Sequence, residues 1–252
     1  MQRTILDQLQ ADRAAKIPVV LATALKTGEQ GLLYLVGKQG ARLWPPAVAE
    51  AARAALLADR STTIETEAGP VFLNVFNPPL RLIVVGAVHI TQALAPMARL
   101  AGYDVAVIDP RRAFASAERF PEVAISTAWP DEAMAALRPD LRTAVVTVTH
   151  DPKLDDPALA AALASDAFYI GSLGSRKTHA ARLARLTKLG FGAADFARIH
   201  GPVGLDIGAR SPAEIALAVL AQMTQRLRQQ SPAPAPELAP EPAAAPEPAA
   251  ES

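Results

Sequence analysis

The spacing of apolar residues changes along the chain, and the change falls near residue 79. Residues 5–16 have the amphipathic spacing of a helix, and a second helix is predicted to follow Pro45-Pro46 and to run through Leu57. Between and after them, runs rich in Val, Leu, Thr and Phe predict strands at 18–25, 32–36, 62–65 and 71–76. Asn77-Pro78-Pro79 then interrupts the pattern. Residues 1–79 are therefore predicted to form a small α+β N-terminal domain.

From residue 80 onward, short continuous runs of Val and Ile alternate with helical patterns. Strands are predicted at 81–85, 104–108, 122–126, 143–148 and 167–170, and helices at 90–100, 131–137, 157–164, 176–189 and 211–228. Ser211-Pro212-Ala213-Glu214 has the sequence of a capping box at the start of the last helix. Continuous apolar strands separated by helices are typical of a mostly parallel sheet with helices on both faces. The sequence thus predicts an α/β, Rossmann-like domain over residues 80–228.

Composition narrows the classes of function. The 252 residues have a formal net charge of zero, which gives no support for nucleic-acid binding. The absence of cysteine excludes disulfides, thiolate metal sites and cysteine nucleophiles. The beginning of the chain lacks the apolar core of a signal peptide, and no apolar run reaches the length of a membrane span, so we expect a cytoplasmic protein. Residues 229–252, rich in Pro, Ala and Glu, are expected to form a disordered tail.

Ligands of such sheets bind beyond the carboxyl ends of the strands, where Gly86 follows the first strand of this domain. Gly86 permits a tight turn into a helix whose first amides can bind an anion. A dinucleotide fingerprint would place further glycines at positions 88 and 91, where this chain has Val88 and Thr91, so NAD(P) binding in the usual pose is disfavoured. Asp109 lies near the spacing at which an acid binds a ribose hydroxyl, and we expect it at the rim of the crevice. The alternatives are that Asp109 caps a turn and pairs with an arginine, or that Arg111 faces a phosphate.

Two histidines lie near predicted strand ends. His89 opens the first helix of the domain, where a lone histidine is more often solvated than catalytic. Thr149-His150-Asp151 follows the strand at 143–148 and forms a dense polar cluster. His150 is a candidate for proton transfer, whereas Asp151 could simply start a turn before Pro152. Because the pattern offers no second base or nucleophile, binding is preferred over catalysis, and no catalytic residue or metal ligand is assigned.

The segment Gly171-Ser172-Leu173-Gly174-Ser175-Arg176-Lys177 points most strongly to a ligand. Its glycines allow close approach to the backbone, its serine hydroxyls can donate hydrogen bonds, and Ser175 can cap a helix that begins at Arg176. A helix N-terminus beside Arg176 and Lys177 favours an anion, and arginine binds phosphate through paired hydrogen bonds. A glycine-rich turn with solvated basic residues is the alternative. We predict a phosphate site in this loop.

A second glycine-rich loop precedes the last helix. It contains Asp206 and Arg210, which either pair with each other or line the mouth of the ligand site.

Taken in order, these motifs resemble the C-terminal domain of the XdhC/CoxI family, the xanthine dehydrogenase accessory factors, over roughly residues 80–226. The resemblance rests on Gly86-x-x-His89, Ile108-Asp109-Pro110-Arg111, Phe120-Pro121, Thr149-His150-Asp151, Tyr169 to Lys177 and Pro202 to Ala216. It departs from the family in its short, cysteine-free N-terminal region, where only Gly37 to Ala41 is similar, and in the absence of glycine at position 88.

The resemblance implies a chaperone for the molybdenum cofactor rather than an enzyme. Such proteins bind this phosphorylated pterin, support its sulfuration through a cysteine desulfurase and deliver it to the apo-enzyme of a molybdenum hydroxylase of the xanthine or carbon-monoxide dehydrogenase type. The Gly171–Lys177 loop would bind the phosphate, and Asp109 or Asp206 would accept hydrogen bonds from pterin or sugar. The missing cysteine implies escort without direct sulfur chemistry, or help from a second chain.

Two other hypotheses remain open at the level of the sequence. The first is an NAD(P)- or flavin-dependent oxidoreductase, which the Rossmann-like pattern favours and Val88 opposes. The second is a ligand-free scaffold between a maturation enzyme and its target. A homodimer is the commonest arrangement for proteins of this kind, although no feature of the sequence demonstrates one.

Overall fold

A computed structural model describes residues 3–34 and 44–229. The first elements form a four-stranded antiparallel sheet with the strand order β2-β1-β4-β3. These elements are α1 (Arg3–Ala14), β1 (Val19–Ala24), β2 (Gln30–Tyr34), α2 (Pro46–Ala58), β3 (Thr62–Ile64) and β4 (Val71–Phe76). Alternate residues of β1 face opposite sides, so Val20 packs toward α2 and Val19 toward α1.

The remaining strands form a six-stranded sheet in the order β10-β9-β8-β5-β6-β7, and every pair in it is parallel. Its strands are β5 (Leu80–Val85), β6 (Tyr103–Ile108), β7 (Ala124–Ser126), β8 (Thr143–Thr147), β9 (Tyr169–Ser172) and β10 (Ile199–His200). Its helices are α3 (His89–Leu100), α4 (Pro130–Leu137), α5 (Pro152–Leu163), α6 (Arg176–Thr187), α7 (Ala193–Phe196) and α8 (Pro212–Gln229).

Helices cover both faces of this sheet, which explains why its central strands are apolar at every position. Leu82 and Val84 of β5 pack in one core with α3 and α8. Ile83 and Val85 pack in a second core with α4, α5 and α6. The predicted α/β architecture, with a parallel Rossmann-like sheet after a small α+β unit, is thus confirmed. The division of the chain into domains at residue 79 stays a prediction.

Helix α5 differs most from its predicted bounds, because it begins at Pro152 rather than at residue 157. The Asp151 side chain accepts a hydrogen bond from Lys153 N and caps the helix, and Pro152 occupies the first turn, where a missing N–H costs nothing. Pro157, which the sequence suggested as the first helical residue, therefore lies inside α5. The two-residue strand β10 and the short helix α7 were not predicted, because neither is long enough to show a periodicity.

Some predictions fall on parts of the chain outside the described residues. Strand β2 is described as far as Tyr34, so the predicted positions 35 and 36 lie outside. The same holds for Gly37 to Ala41 and for residues 230–252 of the predicted tail, whereas its first residue, Gln229, is the last residue of α8. Among the helices of the described ranges, none combines the length and the apolar character needed to cross a membrane.

Candidate functional site

The order of strands reverses between β5 and β8, and this point at the carboxyl edge of the sheet is where ligands of such folds bind. The loops that follow these two strands touch. Gly86 is buried with φ of 120°, and a Cβ atom built on it would lie 2.8 Å from Thr149 Cγ2. Only glycine fits this turn, because both its backbone conformation and its neighbour exclude a side chain.

Asp109 lies beneath the crevice and not at its rim, which corrects the expectation from its spacing. Its side chain is fully buried, and Oδ2 accepts a hydrogen bond of 2.8 Å from Ala87 N. The Arg111 guanidinium donates through Nε to Oδ1 (2.9 Å) and through Nη2 to Oδ2 (2.8 Å). Burial alone would raise the pKa of Asp109, but the hydrogen bonds from Arg111 and Ala87 outweigh it and hold that pKa below its usual range. Asp109 and Arg111 are therefore paired with each other and close the turn from below.

A second arginine closes the same turn from its far side. Arg119 donates through Nη1 to Ala87 O (3.0 Å) and to Phe114 O (2.6 Å). Helix α3 then begins after Val88, whose side chain cannot cap it, so the first amides of α3 remain open to an anion. His89 is exposed at this helix start.

The loop after β8 is organised by Thr149. Its Oγ1 donates to Asp155 Oδ1 (2.7 Å) and accepts from Asp151 N (3.0 Å). Asp151 caps α5, so the turn that the sequence allowed as an alternative is confirmed. His150 has φ of 62° and an exposed side chain. Of the three clustered residues, His150 is thus the most exposed.

Two residues of the predicted phosphate loop, Gly171 and Ser172, belong to β9 and form contacts within the core. Ser172 is the last residue of β9 and fully buried, and its hydroxyl shares a hydrogen bond of 2.5 Å with that of Thr147 on β8. The expectation that this hydroxyl faces a ligand is therefore wrong. Gly171 is needed for packing, since a Cβ there would lie 2.6 Å from Val203 Cγ2.

The second half of that loop reaches the surface. Gly174 has φ of 143°, and Ser175 Oγ accepts a hydrogen bond of 3.2 Å from Thr178 N, which confirms Ser175 as the cap of α6. Arg176 and Lys177 follow with exposed side chains, and neither forms an ion pair with any residue that the structure describes. Two free cations thus flank the N-terminus of α6, where a helix favours an anion.

A buried ion pair that was not predicted from the sequence lies beneath this loop. The side chains of Arg182 on α6 and Asp155 on α5 are each 2% exposed, with Arg182 Nη2 3.9 Å from Asp155 Oδ2. Arg182 Nη2 also donates to Leu173 O at 2.7 Å. Burial raises the pKa of Asp155, although the Thr149 hydroxyl and the Arg182 charge oppose that rise. One signal was available, because Arg182 lies one helical turn before the buried Leu186, on the apolar stripe of α6.

Asp206 and Arg210 lie in the loop between β10 and α8. Leu205 N donates to Ala218 O (3.1 Å), which places the neighbouring Asp206 beside the middle of α8. Both side chains are exposed, and within the described parts of the chain no ion pair joins them to each other or to the loops above. Their predicted roles as a pair or as ligand contacts therefore gain no support from contacts.

The strand order, which reverses between β5 and β8, is that of a Rossmann domain. Comparison with known families agrees, since the model of the XdhC Rossmann domain matches residues 82–223. The chain belongs to this family.

Two curated bacterial proteins match the chain over 156 residues each. One is the molybdenum cofactor insertion chaperone PaoD of Escherichia coli strain K12, at 35% identity over 62% of this chain and 43% of that protein. The other is a probable xanthine dehydrogenase subunit of Bacillus subtilis strain 168, at 33% identity over 62% of this chain and 45% of that protein. The matched segment thus spans less than half the length of each relative.

A solved structure shares the fold. It is a crystal structure described as a xanthine dehydrogenase from Bacillus halodurans, with a TM-score of 0.65 and 24% identity over 93% of this chain and 67% of that chain. At this level of identity the similarity supports the fold alone.

Proposed function

We propose that this protein binds the molybdenum cofactor at the carboxyl edge of its six-stranded sheet and delivers it to the apo-enzyme of a molybdenum hydroxylase. The observation that carries the proposal is the convergence of Gly174, the N-terminus of α6 and two free cations, Arg176 and Lys177, at one loop. This cofactor has a phosphate, and the loop has the chemistry of a phosphate site. Membership of the XdhC Rossmann domain family and similarity to a chaperone of cofactor insertion support the same function.

The other candidate residues would take different parts of the cofactor. His150, exposed beside the Gly86 turn, would contact the pterin. Asp109 is buried and already accepts hydrogen bonds, so its role is to fix the Gly86 turn rather than to bind the sugar. Of the two carboxylates predicted to accept hydrogen bonds from pterin or sugar, Asp206 is the one with an exposed side chain, and it would take that role. Arg210 and Asp151 would belong to the rim of the site.

The role is escort, and no chemical step is assigned to this chain. Because the sequence has no cysteine, sulfur would be added to the cofactor by a separate cysteine desulfurase. The cargo would then pass to a client of the xanthine dehydrogenase type. A homodimer is part of this proposal and would be tested by measuring the mass of the protein in solution.

Bound cofactor tests the proposal directly. The full-length protein is produced with and without cofactor synthesis, purified without oxygen and oxidised, and the fluorescence of released pterin is measured. We expect pterin only from cells that make the cofactor, and less from the double variant Arg176→Gln, Lys177→Gln. Arg112→Gln is the matched control, because Arg112 is an exposed cation that follows Arg111 near the Gly86 turn.

Two results would overturn the proposal. The first is wild-type protein free of pterin together with full hydroxylase activity in cells that lack this chain. The second is tight, saturable binding of NAD(P), which would favour an oxidoreductase instead.

A further inference from the structure

Arg182 is buried with most of its hydrogen-bonding capacity unused. Nε and Nη1, which carry three of its five N–H groups, have no acceptor within the part of the chain that the structure describes. Asp155 is too far away, at 3.9 Å, to accept a good hydrogen bond from Nη2. A buried charge with unpaired donors lowers the stability of the folded protein. An additional acceptor for the guanidinium would therefore be stabilising, and the described residues do not supply one.

The guanidinium lies directly below the predicted phosphate loop. Side chains of a helix point toward its N-terminus, and Arg182 follows this rule, since Nη2 reaches Leu173 O in the loop before α6. A Cβ built on Gly174 would lie 3.5 Å from Nη2, so the missing side chain of Gly174 leaves a single layer of backbone above the charge. His179, on the same face of α6, also has an unpartnered buried atom, Nδ1.

The Asp155 carboxylate would compete with a bound anion for the Arg182 guanidinium. It faces Arg182 without a close hydrogen bond, while its Oδ1 is held by the Thr149 hydroxyl. An anion bound to Arg182 would be repelled by this carboxylate at short range. Removal of the Asp155 charge should therefore help such an anion, whereas removal of the Arg182 charge should prevent its binding.

We propose that Arg182 is the buried cation of the phosphate site and that it binds a phosphate oxygen which enters beneath Leu173 and Gly174. While the site is empty, the Asp155 carboxylate faces the guanidinium in place of that phosphate. This inference rests on the proposed function and adds a binding residue to it. Because Arg182 is covered, entry requires the hydrogen bond to Leu173 O to open. Arg176 and Lys177 would attract the anion first, and Arg182 would retain it.

The test uses the full-length protein and inorganic phosphate as the probe, at constant ionic strength maintained with chloride. The melting temperature is followed as phosphate is added, and the apparent phosphate affinity is calculated from it. Arg182→Met should weaken binding roughly tenfold to hundredfold, the range expected for hydrogen bonds to a charged group. Arg182→Lys, which keeps the charge, should show a smaller loss and guards against misfolding of the first variant.

Asp155→Asn separates binding from mere positioning. Asparagine can still accept a hydrogen bond from Thr149, so the loop keeps its contact while the competing charge is lost. We expect phosphate to bind more tightly to Asp155→Asn than to the wild type. Arg185→Met is the matched control on the same helix, because Arg185 is bound to Asp156 away from the loop, and its affinity should stay within about twofold of the wild type.

Three results would overturn the inference. They are a wild-type protein that does not respond to phosphate, an unchanged response in folded Arg182→Met, and an equal loss of affinity in Arg182→Met and Asp155→Asn. The pterin content of the same preparations separates this failure from failure of the proposed function. Cofactor that copurifies equally with the wild type and with Arg182→Met contradicts the role of Arg182 alone, whereas wild-type protein without cofactor contradicts the chaperone role.

Discussion

Two strand-to-helix turns of the six-stranded sheet start from a similar backbone and differ in what surrounds it. The turn after β5 contains Gly86 at φ of 120°, and the loop after β9 contains Gly174 at φ of 143°. Below the first turn, the anionic Asp109 is fully satisfied by Ala87 N and Arg111. Below the second, the cationic Arg182 is left with unused donors. The first turn is thus complete without a ligand, and the second lacks an acceptor.

This contrast indicates where binding free energy can come from. Groups that already bond each other gain little from a ligand, because a new contact must replace an old one. The Gly86 turn has the geometry of a nucleotide-binding fold. Asp109 and Arg111, however, bind each other and stabilise the turn, so they are not available to bind a ligand. The loop at Gly174 has two unpaired cations on its surface and, underneath, a guanidinium with unused donors. We therefore expect changes at the first turn to affect folding and changes at the second to affect binding.

Substitution of the two glycines should show the largest contrast in stability. Gly86→Ala should lower the free energy of unfolding by about 3 kcal/mol, because the new Cβ meets the Thr149 side chain in a strained, buried turn. Gly174→Ala should cost only about 1–2 kcal/mol, since the nearest atom to the new Cβ would be the Thr178 methyl carbon at 3.0 Å, farther than the 2.8 Å to Thr149 at Gly86. Urea denaturation measures both values.

A third glycine separates backbone strain from steric contact. Gly102 has φ of 87°, and a Cβ there would have no atom within 4 Å. Gly102→Ala should therefore cost about 1 kcal/mol, from the backbone alone. Equal losses in Gly86→Ala and Gly102→Ala would show that the contact with Thr149 is unimportant.

Asp109→Asn should have the next largest effect, about 2 kcal/mol at neutral pH, because it removes the charge that binds Arg111 and Ala87. The pKa of Asp109 is lowered in the folded protein. Its contribution is therefore fully present above the unfolded-state pKa of about 3.9 and is lost as the pH falls through the folded value. The stabilities of the wild type and the variant should converge on acidification.

Asp104→Asn is the control for that comparison. Asp104 lies on β6, the strand that Asp109 directly follows, is exposed and has no ion-pair partner among the described residues. Its substitution should change the free energy of unfolding by less than about 0.5 kcal/mol at any pH. A difference between the wild type and Asp109→Asn that persists at low pH would contradict a charged Asp109.

The architecture was predictable because its signals are local. Each central strand is buried on both faces, so a run such as Leu82 to Val85 identifies itself, and the strand–helix alternation then predicts parallel pairing. The two-residue strand β10 shows no such signal. It forms only because Ile199 and His200 extend a sheet whose edge is already in place.

The site was predictable only in part, because its decisive contacts join distant segments. Ser172 follows a glycine, as loop residues do, and its place in the sheet depends on its register with Thr147 on β8. The pair of Asp155 and Arg182 spans two helices, so the spacing within α6 indicates that Arg182 is buried but does not reveal its partner. The surface residues Arg176 and Lys177 were predictable, since a cap followed by two cations is a local pattern.

Ser175 should show a smaller effect and distinguishes capping from binding. Ser175→Ala removes the acceptor for Thr178 N and should cost about 1 kcal/mol. Ser175→Asp keeps a good cap and should restore most of that stability, but its negative charge should weaken phosphate binding. The melting temperature with and without phosphate measures both effects. If Ser175→Asp binds phosphate as well as the wild type, the anion does not lie at the N-terminus of α6.

The smallest change in stability is expected for Arg176→Gln, Lys177→Gln, at less than about 0.5 kcal/mol, because both side chains are exposed and unpaired. Their effect on phosphate binding should nevertheless be clear in dilute buffer and fade with added salt, since exposed charges are screened over about 8 Å at 0.15 M. The effect of Arg182→Met should persist in the same salt, because Arg182 is buried. Arg112→Gln, beside the closed turn, should change neither property. A salt-sensitive loss in Arg112→Gln equal to that of the double variant would place the anion at the Gly86 turn, and the contrast between the two loops would then be wrong.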